Sequence, residues 1–288
     1  MNVHIVTDST SDLSASLLEE YGVARLIHIV PLTVHFGDEE FQSGVDLSTS
    51  EFYARLEKAE VMPRTSQPSP AAFIELYKTI SKPGDTILSY HISSRLSGTF
   101  QSALLAAKQF SDRRIEVVDT KSASMGLGII ALRAALGLVQ GESADAVLNM
   151  SREWIANGRV YFLVDTLDYL QKNGRIGRAQ ALVGGLLNVK PILTLDDGVV
   201  TPLEKARGQA KARGRVLSRV VEFLQTQSGG SPGPFAAVVH ARAPEDAEAL
   251  REKLQSEFPN ITFLIGELGP TVGTHAGPGT LGVACFGC

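Results

Sequence analysis

The order of apolar and polar segments constrains the fold of this chain more than any other feature. The apolar run Val3–Val6 leads through a polar loop into an amphipathic segment that ends at Gly22. The same order recurs at Thr86–Ile92, which suits a buried strand and precedes a loop and an amphipathic stretch from Gln101. Strand, loop and helix in repeated succession predict an α/β fold with a mostly parallel sheet and flanking helices.

The length of the chain favours two domains of ordinary size. With 288 residues and 44% hydrophobic content, the chain can bury a sizeable core. After Gly158 the pattern changes to glycine-punctuated segments and a hairpin around Asp197 and Gly198. We therefore predict an N-terminal α/β domain over residues 1–158 and a C-terminal α/β domain over residues 159–288. Single elements are predicted as a strand at Ile27–Phe36, a helix at Glu204–Gln225 and a last clear strand at Ile261–Ile265.

Composition narrows the class of partner. A formal net charge of −4 argues against a nucleic-acid-binding protein, so small molecules or proteins are the expected partners. The N-terminus lacks the basic and apolar regions of a secretory signal, which predicts a cytoplasmic protein. The most apolar segment, Gly126–Val139, contains Arg133 and is too short for a membrane span, so no integral membrane segment is expected.

The loop between the strand at Thr86–Ile92 and the following helix is a candidate anion site. It contains several hydroxyl side chains and a glycine, namely Ser93, Ser94, Ser97, Gly98 and Thr99. Free backbone N–H groups and the positive end of the helix dipole attract an anion to such a position. Simple capping of the helix by Ser97 or Thr99 explains the same residues equally well. The loop Asp8–Asp12 after the first strand carries the same two interpretations.

Two further segments display groups that could bind an anion. Prolines at positions 63, 68 and 70 keep the backbone extended, so that Thr65 lies on a stiff loop. His275 lies in a glycine-rich loop, where bare backbone can approach a ligand closely. A histidine N–H is a suitable donor for a carboxylate or phosphate, although a structural histidine is the alternative.

Two other motifs predict no chemistry. Cys285 and Cys288 form a CxxC at the end of the sequence, without the strand-to-helix context of a redox site or the two further ligands of a zinc site. Gly126, Gly128 and Ala131 fit GxGxxG/A superficially, but they come too late after the preceding strand for a dinucleotide site. We therefore expect neither a metal nor a cofactor.

Several segments taken together resemble one family. They are VTDSTSDL, RTSQPSP, ISSRLSGTFQSA, VVDTKSASMGLG, DTLDYLQKNGRIGR, LLNVKPIL and GPTVGTHAGPGTLG. In this order they span nearly the whole chain and are similar to the DegV family. The resemblance implies a two-domain α/β protein that binds one long-chain fatty acid in a tunnel between its domains. It also implies an acyl-binding subunit of a bacterial fatty acid kinase, without catalytic activity of its own, that presents the carboxylate to a separate ATP-using kinase protein.

The resemblance assigns roles to individual residues. The carboxylate ligands of the family correspond to Thr65, Ser97 and His275, and the adjacent loop adds Ser93, Ser94 and Gly98 to the predicted fatty-acid-binding set. Arg175 and Arg207 correspond to arginines that serve the kinase partner or its phosphate. The sequence departs from the common pattern at Asn173, where glycine is usual, but asparagine also tolerates a left-handed backbone. Ordinary core residues are expected to line the tunnel, such as Phe73, Ile129 and Leu187.

Two other functions remain open from the residues alone. In a serine hydrolase or acyltransferase, Ser97 would be the nucleophile, His275 the base and Asp8 the orienting group. The segment LSGT lacks the first glycine of a GxSxG elbow, which weighs against this interpretation. A phosphosugar- or nucleotide-binding module would use the same anion site, although the chain has no P-loop lysine signature.

Overall fold

The computed structural model describes residues 2–184, 189–226 and 235–287. The strands are β1 (Val3–Asp8), β2 (Ile27–Val30), β3 (Thr33–Phe36), β4 (Glu39–Gln42), β5 (Arg64–Ser66), β6 (Thr86–His91), β7 (Arg114–Asp119), β8 (Arg159–Leu163), β9 (Val189–Asp196), β10 (Val199–Arg207), β11 (Phe235–His240), β12 (Thr262–Glu267) and β13 (Leu281–Cys285). The helices are α1 (Ala15–Glu20), α2 (Thr49–Leu56), α3 (Pro70–Ile80), α4 (Thr99–Ala107), α5 (Met125–Val139), α6 (Ala144–Asn157), α7 (Asp168–Lys172), α8 (Gln209–Thr226), α9 (Pro244–Glu257) and α10 (Pro270–Ala276). Two 3-10 turns lie at Ser9–Ser11 and Gly177–Leu182.

The N-terminal part is built on a four-stranded sheet in the order β2-β1-β6-β7, and all of its strands are parallel. Helices α3 and α4 pack together on one face, where Phe73 and Tyr77 meet Ala103 and Ala106. Helix α5, which is buried along most of its length, packs on β1 and β6. The predicted α/β fold with a parallel sheet and flanking helices is confirmed. All four strands end at the same edge, so the loops after Asp8 and His91 lie side by side there.

The strand predicted at Ile27–Phe36 is in fact two strands in different sheets. β2 belongs to the parallel sheet, whereas β3 pairs with β4 and β5 in a separate antiparallel sheet. Pro31 lies between them and has no N–H to donate to a ladder, which explains the interruption. The small sheet places Thr65 opposite Val34, at the edge of the N-terminal part that faces α10.

The C-terminal part contains a six-stranded sheet in the order β10-β9-β8-β13-β11-β12. Its neighbours are antiparallel except for β11 and β12. The predicted hairpin at Asp197 and Gly198 is present, and both residues have the positive φ (47° and 75°) that a tight two-residue turn requires.

Three predictions of local structure in this part are wrong. Residues 204–207 belong to β10, and α8 begins only at Gln209, after Gly208 has turned the chain with φ of 80°. His275 lies on α10 rather than in a loop. The glycine-rich end also contains an unpredicted central strand, β13. A Cβ on Gly282 of this strand would lie 2.7 Å from Cβ of Phe162, so glycine content there reflects close strand packing.

The two main sheets meet through one hydrophobic cluster that includes Ile5 from β1 and Val239 from β11. Among the described residues, the strands of the parallel sheet precede Gly158 and those of the six-stranded sheet follow it. This distribution agrees with the predicted domain boundary at 158/159, which stays a prediction. Within residues 2–184, 189–226 and 235–287, we find no helix that is both long and apolar enough to cross a membrane.

Candidate functional site

A cavity lies between the carboxyl edge of the parallel sheet and the six-stranded sheet. The cavity is partly open, and the space between protein atoms, including solvent at its mouth, is about 830 Å³. Most of its wall is apolar, and residues from both parts contribute to it: Leu32, Ile92, Leu96, Val160, Phe162, Leu170, Leu195, Val200, Val239, Leu268 and Val272. Its polar wall residues are Thr10, Thr65, Ser97, Ser124, Arg175, Thr271, His275 and Thr280.

The expected lining residues are not those that line the cavity. Phe73 packs behind the parallel sheet against Tyr77, and Ile129 lies in the core along α5. Neither borders the cavity. Leu187 lies outside the described residues. Burial alone predicted these residues, and burial does not distinguish a core side chain from a cavity wall.

Thr65 and His275 form the polar contact at the cavity wall. They are 210 positions apart in the sequence, yet Oγ1 of Thr65 lies 2.7 Å from Nε2 of His275. Close packing of α10 against α2 makes this contact possible, because a Cβ on Gly273 would lie within 2.8 Å of Tyr53 and Phe52. The second ring nitrogen, Nδ1 of His275, is buried and has no hydrogen-bond partner. A buried polar atom without a partner is costly unless a ligand supplies one.

Ser97 lines the same cavity beside the N-terminus of α4. Its hydroxyl lies 2.9 Å from the hydroxyl of Thr99 and accepts a hydrogen bond from the Thr99 N–H at 3.3 Å. Gly98 is the N-cap residue behind it. A Cβ at Gly98 would lie 2.2 Å from the side-chain oxygen of Gln67, so a larger residue there would displace the end of that side chain.

Arg175 brings a positive charge to the cavity. Its Nε donates to the carbonyl of Leu96 at 3.1 Å, and Nη1 donates to the carbonyl of Asn173 at 2.7 Å. Within the described part of the chain, no carboxylate lies within 4.0 Å to form an ion pair with it. Asn173 itself donates to the carbonyl of Thr274 at 3.0 Å, which ties the end of α7 to α10. The left-handed residue of this turn is Gly174 (φ 71°), not Asn173.

Four of the predicted site residues lie outside the cavity wall, namely Ser93, Ser94, Gly98 and Arg207. The Ser93 hydroxyl donates to the carbonyl of Gly198 at 2.9 Å, across to the β9–β10 hairpin. The hydroxyl and N–H of Ser94 both donate to the carboxylate of Asp119. Arg207 is exposed at the end of β10. The structure therefore brings Thr65, Ser97, His275 and Arg175 together at the cavity wall, but not Ser93, Ser94, Gly98 or Arg207.

The electrostatics of the site keep the imidazole of His275 neutral. Burial, together with a smaller contribution from the nearby charge of Arg175, lowers its pKa from 6.5 to about 3. A neutral imidazole has one N–H and one acceptor nitrogen. If the Thr65 hydroxyl donates to Nε2, the unpartnered Nδ1 carries the N–H and is available to an anion.

The lowered pKa of His275 predicts acid sensitivity of the fold. Unfolded histidine binds a proton below pH 6.5 whereas native His275 does not, so stability falls as pH drops from 6.5 towards 3. Between pH 7.5 and 5.5, His275→Gln should remove about 1.4 kcal/mol of the pH-dependent loss in the free energy of unfolding. Urea denaturation at both pH values, with and without the substitution, measures this difference. Equal pH dependence of the two proteins would show that the pKa of His275 is the same in the native and unfolded states.

The catalytic triad of the hydrolase hypothesis is not assembled. Ser97 is bonded to Thr99, His275 to Thr65, and Asp8 to a different histidine, His91. A serine–histidine–aspartate chain does exist elsewhere, where the Ser89 hydroxyl contacts Nε2 of His91 at 2.7 Å and Nδ1 of His91 contacts Asp8 at 2.9 Å. All three residues are completely buried, so no substrate reaches Ser89.

The structure also places polar groups at the cavity that were not among the predicted fatty-acid ligands. Thr10 belongs to the first loop that the sequence marked as a ligand position, whereas Ser124 and Thr271 carried no pattern that distinguished them from capping or core residues.

Of the cysteines, Cys285 is buried in β13, and burial raises the pKa of its thiol; Cys288 lies outside the described residues. Residues 2–184, 189–226 and 235–287 contain no grouping of three His, Cys, Asp or Glu residues suited to a metal ion.

The fold and the site together define a class of protein. Two α/β halves enclose an apolar cavity between them, and hydroxyls, a neutral imidazole and an arginine stand among its apolar walls. Nothing in this arrangement forms a catalytic triad, and the unpartnered polar atoms of His275 and Thr271 belong to the cavity wall. These features are typical of a protein that encloses an amphipathic small molecule.

Comparison with known proteins identifies the family. A sequence model described as "Uncharacterised protein, DegV family" matches residues 2–287. A DegV domain-containing protein of Streptomyces coelicolor is 41% identical over 284 residues, which are 98% of this chain and 97% of that protein. A solved fatty-acid-binding DegV family protein from Thermus thermophilus has a TM-score of 0.91 and 36% identity and covers 100% of both chains. DegV of Bacillus subtilis, solved as a fatty acid binding protein, has a TM-score of 0.87 and 35% identity over 99% of both chains. The chain belongs to the DegV family, which confirms the resemblance noted in the sequence.

Proposed function

We propose that this protein binds one long-chain fatty acid, with the tail in the cavity and the carboxylate at Thr65, Ser97 and His275. The observation that carries the proposal is the pairing of an apolar enclosed space with a guanidinium, that of Arg175, whose described contacts are only carbonyl oxygens. An anionic head group supplies the missing charge, and an acyl chain matches the apolar wall. The binding of fatty acids by the Thermus thermophilus and Bacillus subtilis relatives supports the same assignment.

The head group is held by few but directed contacts. A fatty acid is ionised at pH 7, so each charge-assisted donor contributes about 1.5 to 3 kcal/mol. The Nδ1 of His275 is free to donate once the Thr65 hydroxyl donates to Nε2, and in that arrangement Thr65 orients the imidazole and does not itself donate to the carboxylate. The Ser97 hydroxyl can turn from Thr99 towards the ligand, since Thr99 can donate to it instead. These donors orient the carboxylate more than they determine the total affinity.

The tail provides most of the binding energy. At about 0.8 kcal/mol per buried methylene, a chain of about fourteen methylenes contributes roughly 11 kcal/mol before the cost of ordering it. Substitution of one polar residue should therefore leave most of the lipid bound. Orientation and retention of the ligand depend on different parts of the site.

The family resemblance also suggests a role with a partner protein. We propose that the protein presents the bound carboxylate to a separate kinase, in the cytoplasm, and itself has no catalytic activity and no cofactor. Exposed Arg207 is available to such a partner, and Arg175 lies at the cavity, where it can meet the carboxylate or a transferred phosphoryl group. The head group and the tail contact different parts of the site, so the carboxylate can react with the kinase while the tail stays bound.

Arg175→Ala tests the division of the site into residues that retain the lipid and residues that serve acyl-phosphate formation. We expect the variant, purified in parallel with the unaltered protein, to retain co-purified fatty acid within about threefold, because the tail contacts are intact. Acyl-phosphate formation with a fatty acid kinase catalytic protein should fall by about tenfold to a hundredfold, which corresponds to the loss of one charge-assisted contact. Mass spectrometry of a solvent extract measures retention, and a kinase assay measures acyl phosphate. The exposed Arg152→Ala is the matched control. Equal loss of lipid and acyl phosphate in Arg175→Ala would contradict the division.

The same extract tests the other functions. Absence of any fatty acid from the unaltered protein, together with covalent labelling of Ser97 by a serine-reactive probe, would support the hydrolase. A bound phosphosugar or nucleotide would support the phosphate-binding module. The described geometry does not favour the hydrolase, because Ser97 and His275 are hydrogen-bonded to Thr99 and Thr65 rather than to each other.

A further inference from the structure

Asp12 makes a contact between the two halves of the protein that the proposed binding site does not use. It follows the first 3-10 turn and has a left-handed backbone, with φ of 53°. Its Oδ1 accepts a hydrogen bond from the backbone N–H of Gly269 at 3.0 Å, and its Oδ2 accepts one from the hydroxyl of Ser124 at 2.6 Å. One carboxylate therefore joins the loop after β1, the start of α5 and the start of α10.

The bond to Gly269 fixes the beginning of the helix that carries His275. Gly269 is the N-cap residue of α10 and has no side chain to cap the helix, and the next residue, Pro270, has no N–H. Asp12 thus satisfies from the other half of the protein the N–H that a capping-box side chain satisfies within a helix. A Cβ on Gly269 would lie 2.8 Å from Oδ1 of Asp12, so the close approach depends on glycine.

The bond to Ser124 connects the same carboxylate to the cavity wall. Ser124 is the N-cap residue of α5, but its hydroxyl does not cap that helix. It donates to Asp12 instead, and Ser124 lines the cavity together with Thr10 from the Asp12 loop. The positive φ of Ser124, 53°, is unusual for a residue with a side chain and is maintained by its surroundings.

We propose that Asp12 is a positioning residue for the ligand carboxylate, which holds α10 and therefore His275 in register with Thr65 and Ser97. The inference rests on the proposed function, since it concerns the head-group end of the same cavity. A second tie supports the geometry: the Tyr53 hydroxyl donates to the carbonyl of Leu268 at 3.0 Å, one residue before Gly269. With Asp12 removed, the described hydrogen bond from Tyr53 and the apolar packing of Leu268 and Val272 still hold this end of α10, but less firmly, so that His275 is positioned less precisely.

The surroundings of Asp12 place its pKa near neutral pH, so its charge changes within the range of the experiment. Burial raises its pKa from 3.8 to about 7, the negative charge of Asp8 acts in the same direction, and the bonds from Ser124 and Gly269 oppose the shift. Tyr53 faces it from α2, with Glu267 and Arg242 acting on that tyrosine from the C-terminal half. Because the pKa is raised, ionised Asp12 does not stabilise the fold at pH 8, so its replacement should not unfold the protein for electrostatic reasons.

The experiment compares Asp12→Ala, Asp12→Asn and Ser124→Ala in the full chain after removal of bound lipid. Asparagine has nearly the same shape, can accept from Gly269 and can donate to Ser124, so it should restore the contact. The probes are a fluorescent long-chain fatty acid and the fatty alcohol with the same chain, each titrated at pH 6 and pH 8. The ¹⁵N resonances of the His275 imidazole, assigned with His275→Gln, report its position without any ligand.

We expect Asp12→Ala to weaken fatty acid binding by about tenfold and alcohol binding by less than about twofold at pH 8, because only the carboxylate contacts lose their geometry. Asp12→Asn should stay within about threefold of the unaltered protein, and Ser124→Ala should lie between the two. From pH 8 to pH 6, the fatty acid affinity of the unaltered protein should fall about threefold more than that of Asp12→Asn. Protonation of Asp12 weakens the two hydrogen bonds that its carboxylate accepts.

The outcomes separate this inference from the proposed function. Equal binding of the acid by Asp12→Ala and the unaltered protein, with unchanged His275 resonances, would overturn the inference. Binding of neither probe by the unaltered protein would overturn the proposed function, and the His275 resonances in Asp12→Ala would still decide the positioning role. If Asp12→Ala does not fold, Ser124→Ala and Asp12→Asn decide the positioning role of Asp12. Unshifted His275 resonances in Ser124→Ala, together with unaltered pH dependence of binding in Asp12→Asn, would overturn the inference.

Discussion

Replacement of Asp8 by alanine is expected to lower the free energy of unfolding by about 3 to 5 kcal/mol. Asp8 is completely buried at the end of β1 and accepts four hydrogen bonds. They come from the N–H and hydroxyl of Thr10, from Nδ1 of His91 and from the N–H of Ile92. Removal of the carboxylate leaves all four donors buried without a partner, and each such donor costs about 1 to 3 kcal/mol before relaxation.

The effect should extend beyond the immediate contacts. Nε2 of His91 continues the chain to the Ser89 hydroxyl, which contacts the Tyr77 hydroxyl at 2.8 Å. The network therefore links α3, β6 and β1 beneath the cavity, and Thr10 and Ile92 at its end are cavity-wall residues. Because hydrogen-bonded chains in a low dielectric reinforce one another, loss of one member should weaken the others.

Urea or thermal unfolding measures the change, with Asp112→Ala as the matched control. Asp112 is exposed and pairs with Arg113 on the surface, so its loss should cost less than about 1 kcal/mol. Asp8→Asn should also be destabilising, since its amide group places N–H donors where the structure has donors already. A loss below about 1 kcal/mol in Asp8→Ala would mean that water replaces the carboxylate, and that the network is less enclosed than its burial indicates.

The two halves of the fold differ in how far they could be predicted from sequence. The parallel sheet follows from local pattern, because each buried strand leads directly into a polar loop and an amphipathic helix. The break at Pro31 was readable in principle, but the apolar alternation from Ile27 to Phe36 continues across it and hides the change of sheet. β13 could not be recognised, because its glycines resemble a loop until the side chain of Phe162 is known to lie against Gly282.

At the candidate site, the sequence predicts polar residues of the cavity wall but not the apolar residues that line it. Thr65, Ser97 and His275 are polar residues in unusual surroundings, so sequence could single them out and the family resemblance could group them. Ser93 and Ser94 looked equivalent to Ser97, yet their hydroxyls bond to Gly198 and Asp119, partners that are distant in sequence. For apolar residues such as Phe73, the sequence does not distinguish a core position from a cavity wall, because both select the same side chains.

Ala123→Trp is expected to reduce the affinity for a long-chain fatty acid by about a thousandfold or more. Ala123 lines the cavity immediately before Ser124, and an indole ring there would occupy space that the acyl chain needs. If the ring excludes about six methylenes from burial, the loss is roughly 5 kcal/mol at about 0.8 kcal/mol each. The polar contacts at Thr65, Ser97 and His275 cannot offset this, because they act on the head group alone. A ten-carbon acid, which needs less of the cavity, should lose far less than an eighteen-carbon acid.

Titration of both acids against the lipid-free variant measures the dependence on chain length. The matched control is Val139→Trp, which adds the same side chain at an exposed position near the end of α5, where Val139 has 59% of its surface exposed. Val239→Phe, on β11, provides a second test in the same cavity with a smaller increase in volume, and should give a proportionately smaller loss. Unchanged affinity for the long acid in both cavity variants, with native stability, would show that the tail lies elsewhere. The assignment of this cavity to the acyl chain would then fail, because a volume that is filled without consequence holds no ligand.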